Sequence, residues 1–197
     1  MAELLYQGHG SFRLTTDEMK VIYIDPFAGK GYDLPADLIL VSHEHRDHNM
    51  TELVAKKENT VILRSCDFLK EGGYLEKDTC GVVVRGVPAY NKNHPVDKCV
   101  GFVIKADGLT LYFAGDTSTT GAMKDMLPAM KIDYAFLPTD GIYNMGVKEA
   151  SQAAALIGAK HTVPVHMKPG ALFSEEVAEE FSCDGKLIIR AGESVRL

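Results

Sequence analysis

Ser42-His43-Glu44-His45-Arg46-Asp47-His48-Asn49 is the stretch that decides how this chain is read. Three of the seven histidines fall inside it, with an aspartate before the last, immediately after the apolar run Leu38-Ile39-Leu40-Val41. A solvated polar loop, the rival reading, has no use for three imidazoles, and an apolar core does not tolerate them. Imidazole nitrogen and carboxylate oxygen suit zinc, iron and manganese. Side chains two apart on an extended backbone point the same way. His43 and His45 can therefore close on one ion while Asp47 and His48 turn toward another.

Working outward, the same grammar recurs. Upstream, residues 4–14 read as two short strands broken at Gly8-His9-Gly10, and residues 21–24 as a buried strand stopping at Asp25-Pro26. Proline forces the residue before it out of the helical region, so Asp25 is expected at a strand tip. Residues 37–41 form the strand that delivers the histidines. Downstream, 50–55 carry helix signals, 60–64 a strand, 67–71 a short helical turn and 81–87 a β-branched run, followed by a loop over 88–97 that holds His94. Asp107-Gly108 between the apolar runs 101–105 and 110–114 predicts a hairpin, and the second run leads into Gly115-Asp116-Thr117.

The last third alternates. A helix is predicted over 121–127 and a strand over 133–137 that ends in Pro138-Thr139-Asp140-Gly141. Val147, Ala150, Ala154 and Ile157 repeat at helical spacing, with Gly158 as the stop. Residues 162–165 form a strand ending in His166, Ser174 is a candidate helix cap, and 186–190 read as a final strand. Asp25, His43, Asp116, Asp140 and His166 all follow apolar strands, which predicts that they share one edge of the sheets. His161, at the far end of the strand that leads to His166, is about 16 Å from it along an extended chain and reads as a surface histidine.

With 197 residues and 46% hydrophobic content, one domain spanning 1–197 with a real core is expected. A formal charge of −6 without a basic cluster argues against a dedicated nucleic-acid surface. No window approaches the roughly 20 apolar residues of a membrane span, and the start of the chain has no basic segment leading into an apolar one, so a cytoplasmic protein is expected. Cys66, Cys80, Cys99 and Cys183 form no C-x-x-C pair and read as reduced packing residues.

The chain resembles the metallo-β-lactamase superfamily. Its His-x-His-x-Asp-His signature is complete from His43 to His48, with Gly115-Asp116-Thr117 and Pro164-Val165-His166 following in order. The resemblance implies an α/β fold of the αββα four-layer sandwich type with two divalent metal ions on one edge, zinc first, manganese or iron as alternatives. It assigns His43 and His45 to the first ion, Asp47, His48 and His166 to the second, and Asp116 as the bridge. Either His94 or Asn91 completes the first site, and His94 is also a candidate to act on substrate. Asp47 would orient a metal-activated hydroxide for attack on an ester, lactone, amide or phosphodiester bond of a small substrate, an anionic one included.

The segments Gln7 to Phe12, Ile24 to Phe27 and Leu137 to Met145 further resemble small hydrolases related to L-ascorbate-6-phosphate lactonase. That group usually carries a Gly-Gly pair where Thr139-Asp140 stands here, so Asp140 is expected to alter the pocket's charge. His9 reads either as a loop histidine satisfied by backbone or as a residue that contacts substrate or a supporting carboxylate, Asp25 and Asp140 each either as a turn cap or as an acceptor behind a ligand histidine, and a homo-oligomer stays open. The competing expectation is a non-catalytic metal-binding regulatory or assembly protein with a degenerate first site.

Overall fold

Strand alternation builds the molecule, since each central strand shows one apolar set to its partner sheet and a second to the outside. The computed structural model describes all 197 residues. In chain order the first strands are Glu3–Gly8 (β1), Ser11–Thr15 (β2), Val21–Ile24 (β3), Ala36–Val41 (β4) and Lys56–Arg64 (β5). A small hairpin, Leu69–Lys70 (β6) and Gly73–Tyr74 (β7), leads to Glu76–Thr79 (β8), Val82–Pro88 (β9), Val100–Ala106 (β10), Leu109–Phe113 (β11), Tyr134–Pro138 (β12) and His161–Val165 (β13). Ser194–Arg196 (β14) closes the chain. One sheet has the order β14-β1-β2-β3-β4-β5 and the other β13-β12-β11-β10-β9-β8. In the first, β3, β4 and β5 are parallel; in the second, β11, β12 and β13 are.

Between the sheets lies a core of 22 buried residues, in which Phe12, Ile24, Leu38 and Leu40 meet Phe102, Phe113, Phe136 and Val165. Phe113 stacks on Phe136 at 4.6 Å and Phe12 meets both. Each such side chain contributes about 1.5–3 kcal/mol by leaving water. Ala135, Leu137 and Tyr112 point the other way, under the helix Val147–Ile157 with its Ala150, Ala153, Ala154 and Ile157. Ile39, Val41, Val21 and Tyr23 form the outer face of the first sheet. Tyr32 from the 26–35 loop and Val54 cover it, so the helical layer on that side is reduced to a loop and one 3-10 turn. No helix is long and apolar enough to cross a membrane.

Several local expectations are corrected. Helix signals at 50–55 yield only the 3-10 turn Thr51–Leu53, because Met50 and Ala55 donate their amides to Pro26 and Tyr32 rather than along a helix. Residues 67–71 form the 3-10 turn Ser65–Asp67 and the start of the small hairpin, not a helix. The helix at Gly121–Asp125 gives way before Pro128 to a 3-10 turn. Residues 186–190 make a single bridge to Thr162 and then cross the sheet end, and the last strand is Ser194–Arg196. A helix does follow Ser174, but its hydroxyl makes no capping bond.

Candidate metal centre

Parallel strands bring their carboxyl ends to one edge, and here both sheets present that edge on the same side. β1 is antiparallel to β2 and β2 to β3, so β1 runs with β3 and ends beside it at His9. By the same counting β9 runs with β11 and leads into the His94 loop. Asp25, His43, Asp116, Asp140 and His166 follow β3, β4, β11, β12 and β13. His9, Asp25 and His166 have left-handed backbones, with φ of 57°, 47° and 44°. Non-glycine residues adopt that conformation at a cost, and it turns the chain sharply at three strand ends of one site. The sequence placed Asp25 at a tip correctly, yet before Pro26 it is left-handed rather than extended.

The donors converge as three overlapping groups: His43, His45 and His94; His43, His48 and Asp116; and His9, Asp47, His48 and His166. Asp116 stands between them. One carboxylate oxygen is 3.2 Å from His94 Nε2, and the other is 3.2 Å from His48 Nε2 and 3.4 Å from His166 Nε2. Asp47 Oδ2 is 3.8 Å from His166 Nε2.

Behind the donors, four histidines meet an acceptor at their other ring nitrogen. His48 Nδ1 donates to Asp25 Oδ2 at 2.9 Å, and His166 Nδ1 lies 3.0 Å from Asp140 Oδ2. His94 Nδ1 donates to Asn91 Oδ1 at 2.9 Å. His43 Nδ1 donates to Ser42 Oγ at 3.0 Å, and that hydroxyl donates in turn to Asp25 Oδ2 at 2.6 Å. Such partners fix the tautomer and aim the Nε2 lone pair at a metal.

The electrostatics suit cations. Burial opposes charge on His48, but Asp116 and Asp25 outweigh it and hold the imidazole well above its ordinary range. Burial opposes His166 likewise, yet Asp116, Asp140 and Asp47 push it up to about 9. His43, by contrast, is held well below its ordinary range by burial and by His48. Asp116 stays far below the usual carboxylate range because His48 and His166 overcome its desolvation. The Nε2 atoms of His43, His48 and His166 and Oδ1 of Asp116 are buried without a hydrogen-bond partner, as is His166 Nδ1, whose approach to Asp140 lacks hydrogen-bond geometry. Buried polar atoms are normally paired, and a donor set of imidazoles and carboxylates left open in this way fits divalent metal.

The sequence profile of the beta-lactamase superfamily domain matches residues 3–166. The chain belongs to the metallo-β-lactamase superfamily. Within it, a UPF0173 metal-dependent hydrolase of Methanoregula boonei is 35% identical over 184 residues, covering 83% of this chain and 81% of its own. Another, from Pyrococcus furiosus, is 30% identical over 233 positions spanning all of both chains, so it carries segments without a counterpart among the 197 residues here. The crystal structure of a protein from Parabacteroides distasonis, described as a metal-dependent hydrolase, superposes with a TM-score of 0.76 at 32% identity, covering 96% and 93% of the two chains. This chain is a metal-dependent hydrolase with the metallo-β-lactamase fold.

In this hydrolase the donors are not equally covered. His43, His48, His94, Asp116 and His166 are buried, whereas His45 is exposed and the Asp47 side chain is 39% exposed. Access is therefore from the His45 and Asp47 side. A cavity of about 290 Å³ opens there, lined among others by His43, His45, Cys66, Leu69, Pro95 and Lys98. Beneath His48, Asp116 and His166 the floor is apolar, made by Phe12, Ile24, Phe113, Phe136 and Val165.

Measured against the sequence, the structure brings every candidate site residue to this edge. His94, not Asn91, stands with His43 and His45, and Asn91 supports it from behind. Asp140 takes both places the sequence left open to it, as a cap of its turn and as the carboxylate behind His166. Its Oδ1 accepts the amides of Ile142 and Tyr143, both at 2.7 Å, while Oδ2 faces His166, and these contacts push its carboxyl down to about 2 against the effect of burial. His161 is exposed on β13 and stacks on Tyr134 at 4.9 Å. Ser42, which ties Asp25 to His43, went unremarked. Its only signal is its place directly before the first histidine.

Proposed function

We propose that this protein is a binuclear metal-dependent hydrolase of a small substrate with an ester, lactone, amide or phosphodiester bond. His43, His45 and His94 would hold one ion, Asp47, His48 and His166 the other, and Asp116 both. Zinc suits this mix of imidazole and carboxylate, with manganese and iron as alternatives. Two such ions lower the pKa of a water between them and polarise the bond it attacks. Asp47 is the one half-exposed carboxylate of the set and is placed to accept a hydrogen bond from the attacking water and align it. His94 is held through Asn91 beside Asp116. The cavity wall carries one lysine, Lys98, together with the carboxylates of Glu44 and Asp97.

The observation that supports this reading is Asp116, whose two oxygens lie at one distance, 3.2 Å, from His94 on one side and His48 on the other. A non-catalytic protein with a degenerate first site is the competing reading, and His94 beside His43 and His45 weighs against it. The test is metal content per chain for protein purified without chelator. Two ions in the wild type, one lost in His94→Ala and both weakened in Asp116→Ala, is the expected result. One ion or none, unchanged in His94→Ala, would sink it.

A further inference from the structure

His9 lies outside the superfamily's signature, and the structure builds it into the centre with unusual care. Its backbone is pinned by three hydrogen bonds: its amide donates to Leu172 O at 2.7 Å, and its carbonyl accepts from the His166 amide at 2.9 Å and the Tyr6 hydroxyl at 2.8 Å. The flanking glycines are required by close approach. A Cβ on Gly8 would stand 2.8 Å from Leu172 Cβ, and one on Gly10 would stand 3.0 Å from the His48 ring. The residue is 2% exposed, so a role at the surface is excluded. Its ring lies on that of His166 with centroids 3.7 Å apart, and Phe27 closes the other side at 5.3 Å.

The hydrogen-bond arithmetic of this ring does not close within the protein. Nδ1 faces the Ala171 carbonyl at 3.4 Å and Nε2 faces Asp47 Oδ2 at 3.2 Å, so both nitrogens face acceptors while a neutral ring has a single N–H to offer. With the proton on Nδ1, the Nε2 lone pair is turned toward Asp47 Oδ2, an arrangement that a cation between the two makes favourable. Nδ1 of His48 and of His166 likewise face carboxylates, which leaves their Nε2 lone pairs turned toward the same space. The four ligand atoms of His9, Asp47, His48 and His166 lie within 4.8 Å of one another. Four donor atoms gathered this closely, three of them on buried imidazoles, suit a cation among them.

We propose that His9 is a direct ligand of the second metal ion, binding through Nε2, so that this ion is held by three imidazoles besides Asp47 and the shared Asp116. The proposal rests on the two-ion reading above. It also gives the strained Gly8-His9-Gly10 turn a purpose, since a ring that only filled space would not need a left-handed backbone.

The experiment uses the full chain labelled with ¹⁵N in histidine and loaded with ¹¹³Cd. A His9 Nε2 signal split by one-bond coupling to cadmium, and absent in His9→Gln, is the expected result; an unsplit signal overturns the proposal. In parallel, chelator competition reads the affinity for the second equivalent of zinc in His9→Ala and His9→Gln. Both should lose more than the about 10- to 100-fold that removal of a supporting partner costs. Glutamine keeps an N–H donor for Asp47, so wild-type affinity in His9→Gln would reduce His9 to a positioning residue and overturn its ligand role. Uptake of fewer than two ions by the wild type overturns the two-ion reading and this proposal together, whereas two ions with His9 unsplit overturns this one alone.

Discussion

Asp25 accepts a hydrogen bond from His48 across 23 positions of sequence, at 2.9 Å and with both side chains nearly sealed from solvent. The same carboxylate takes the Ser42 amide and hydroxyl at 2.7 and 2.6 Å, so one acid orients His48 directly and His43 through Ser42. Asp25→Asn keeps the shape, and asparagine tolerates the left-handed backbone. Its loss of charge should weaken metal binding about 10- to 100-fold, measured by chelator competition. Unchanged affinity would show that the contact does not tune the ligands.

Asp47→Ala should lower kcat/KM by about 10²- to 10⁴-fold, the usual contribution of a positioned acid or base, on whichever generic lactone or phosphodiester the wild type turns over. Asp47 is also a proposed ligand, so the assay is run at metal concentrations that saturate the variant. Turnover that survives saturation at the wild-type rate would discard the aligning role.

Acidity should separate the metal-free from the loaded protein. His166 has its pKa raised to about 9 and His48 has its pKa raised as well. For a group with a raised folded pKa, the stabilisation is complete below the unfolded value of about 6.5 and is lost as pH rises through the folded value. Metal must displace those protons, so its binding strengthens over the same interval. Thermal melts with and without chelator should therefore diverge between pH 6.5 and 9. A gap between the two melting temperatures that stays constant with pH would contradict the assignment.

Phe136→Ala should cost about 3–5 kcal/mol in denaturant unfolding, since its ring stacks on Phe113 and meets Phe12 in the floor of the centre. Metal affinity should fall with it. His161→Ala, far down β13 and exposed, should change neither metal content nor turnover.

The fold was legible wherever burial imposed a pattern. The strands that carry ligands are apolar runs with a stop at the end, and the Asp107-Gly108 hairpin formed as its two positive φ angles, 49° and 78°, require. Less visible were elements whose reasons are remote in sequence. Glu76–Thr79 has no apolar run and is a strand only because β9 pairs with it. Met50 to Ala55 has helical composition but spends its amides on the 26–35 loop. In the site, the histidines and Asp116 announced themselves by type and place. The choice between His94 and Asn91 turned on the Asx-type turn in which Asn91 Oδ1 accepts the amides of Asn93 and His94, a geometry that counting along the chain misses.

Both sheets contribute to the donor set. His9 and His43 to His48 come from the first, His94, Asp116 and His166 from the second. At this edge the sheets meet through the layer of phenylalanines and through two backbone hydrogen bonds, from the Val100 amide to Ser42 and from the His166 amide to His9, and these limit how far one may slide over the other. A slip of an ångström would leave each half of the centre intact and its halves mismatched. Bound metal would then act as a rivet through the laminate, and any substitution that loosens the interlayer should be felt in coordination before it is felt in unfolding.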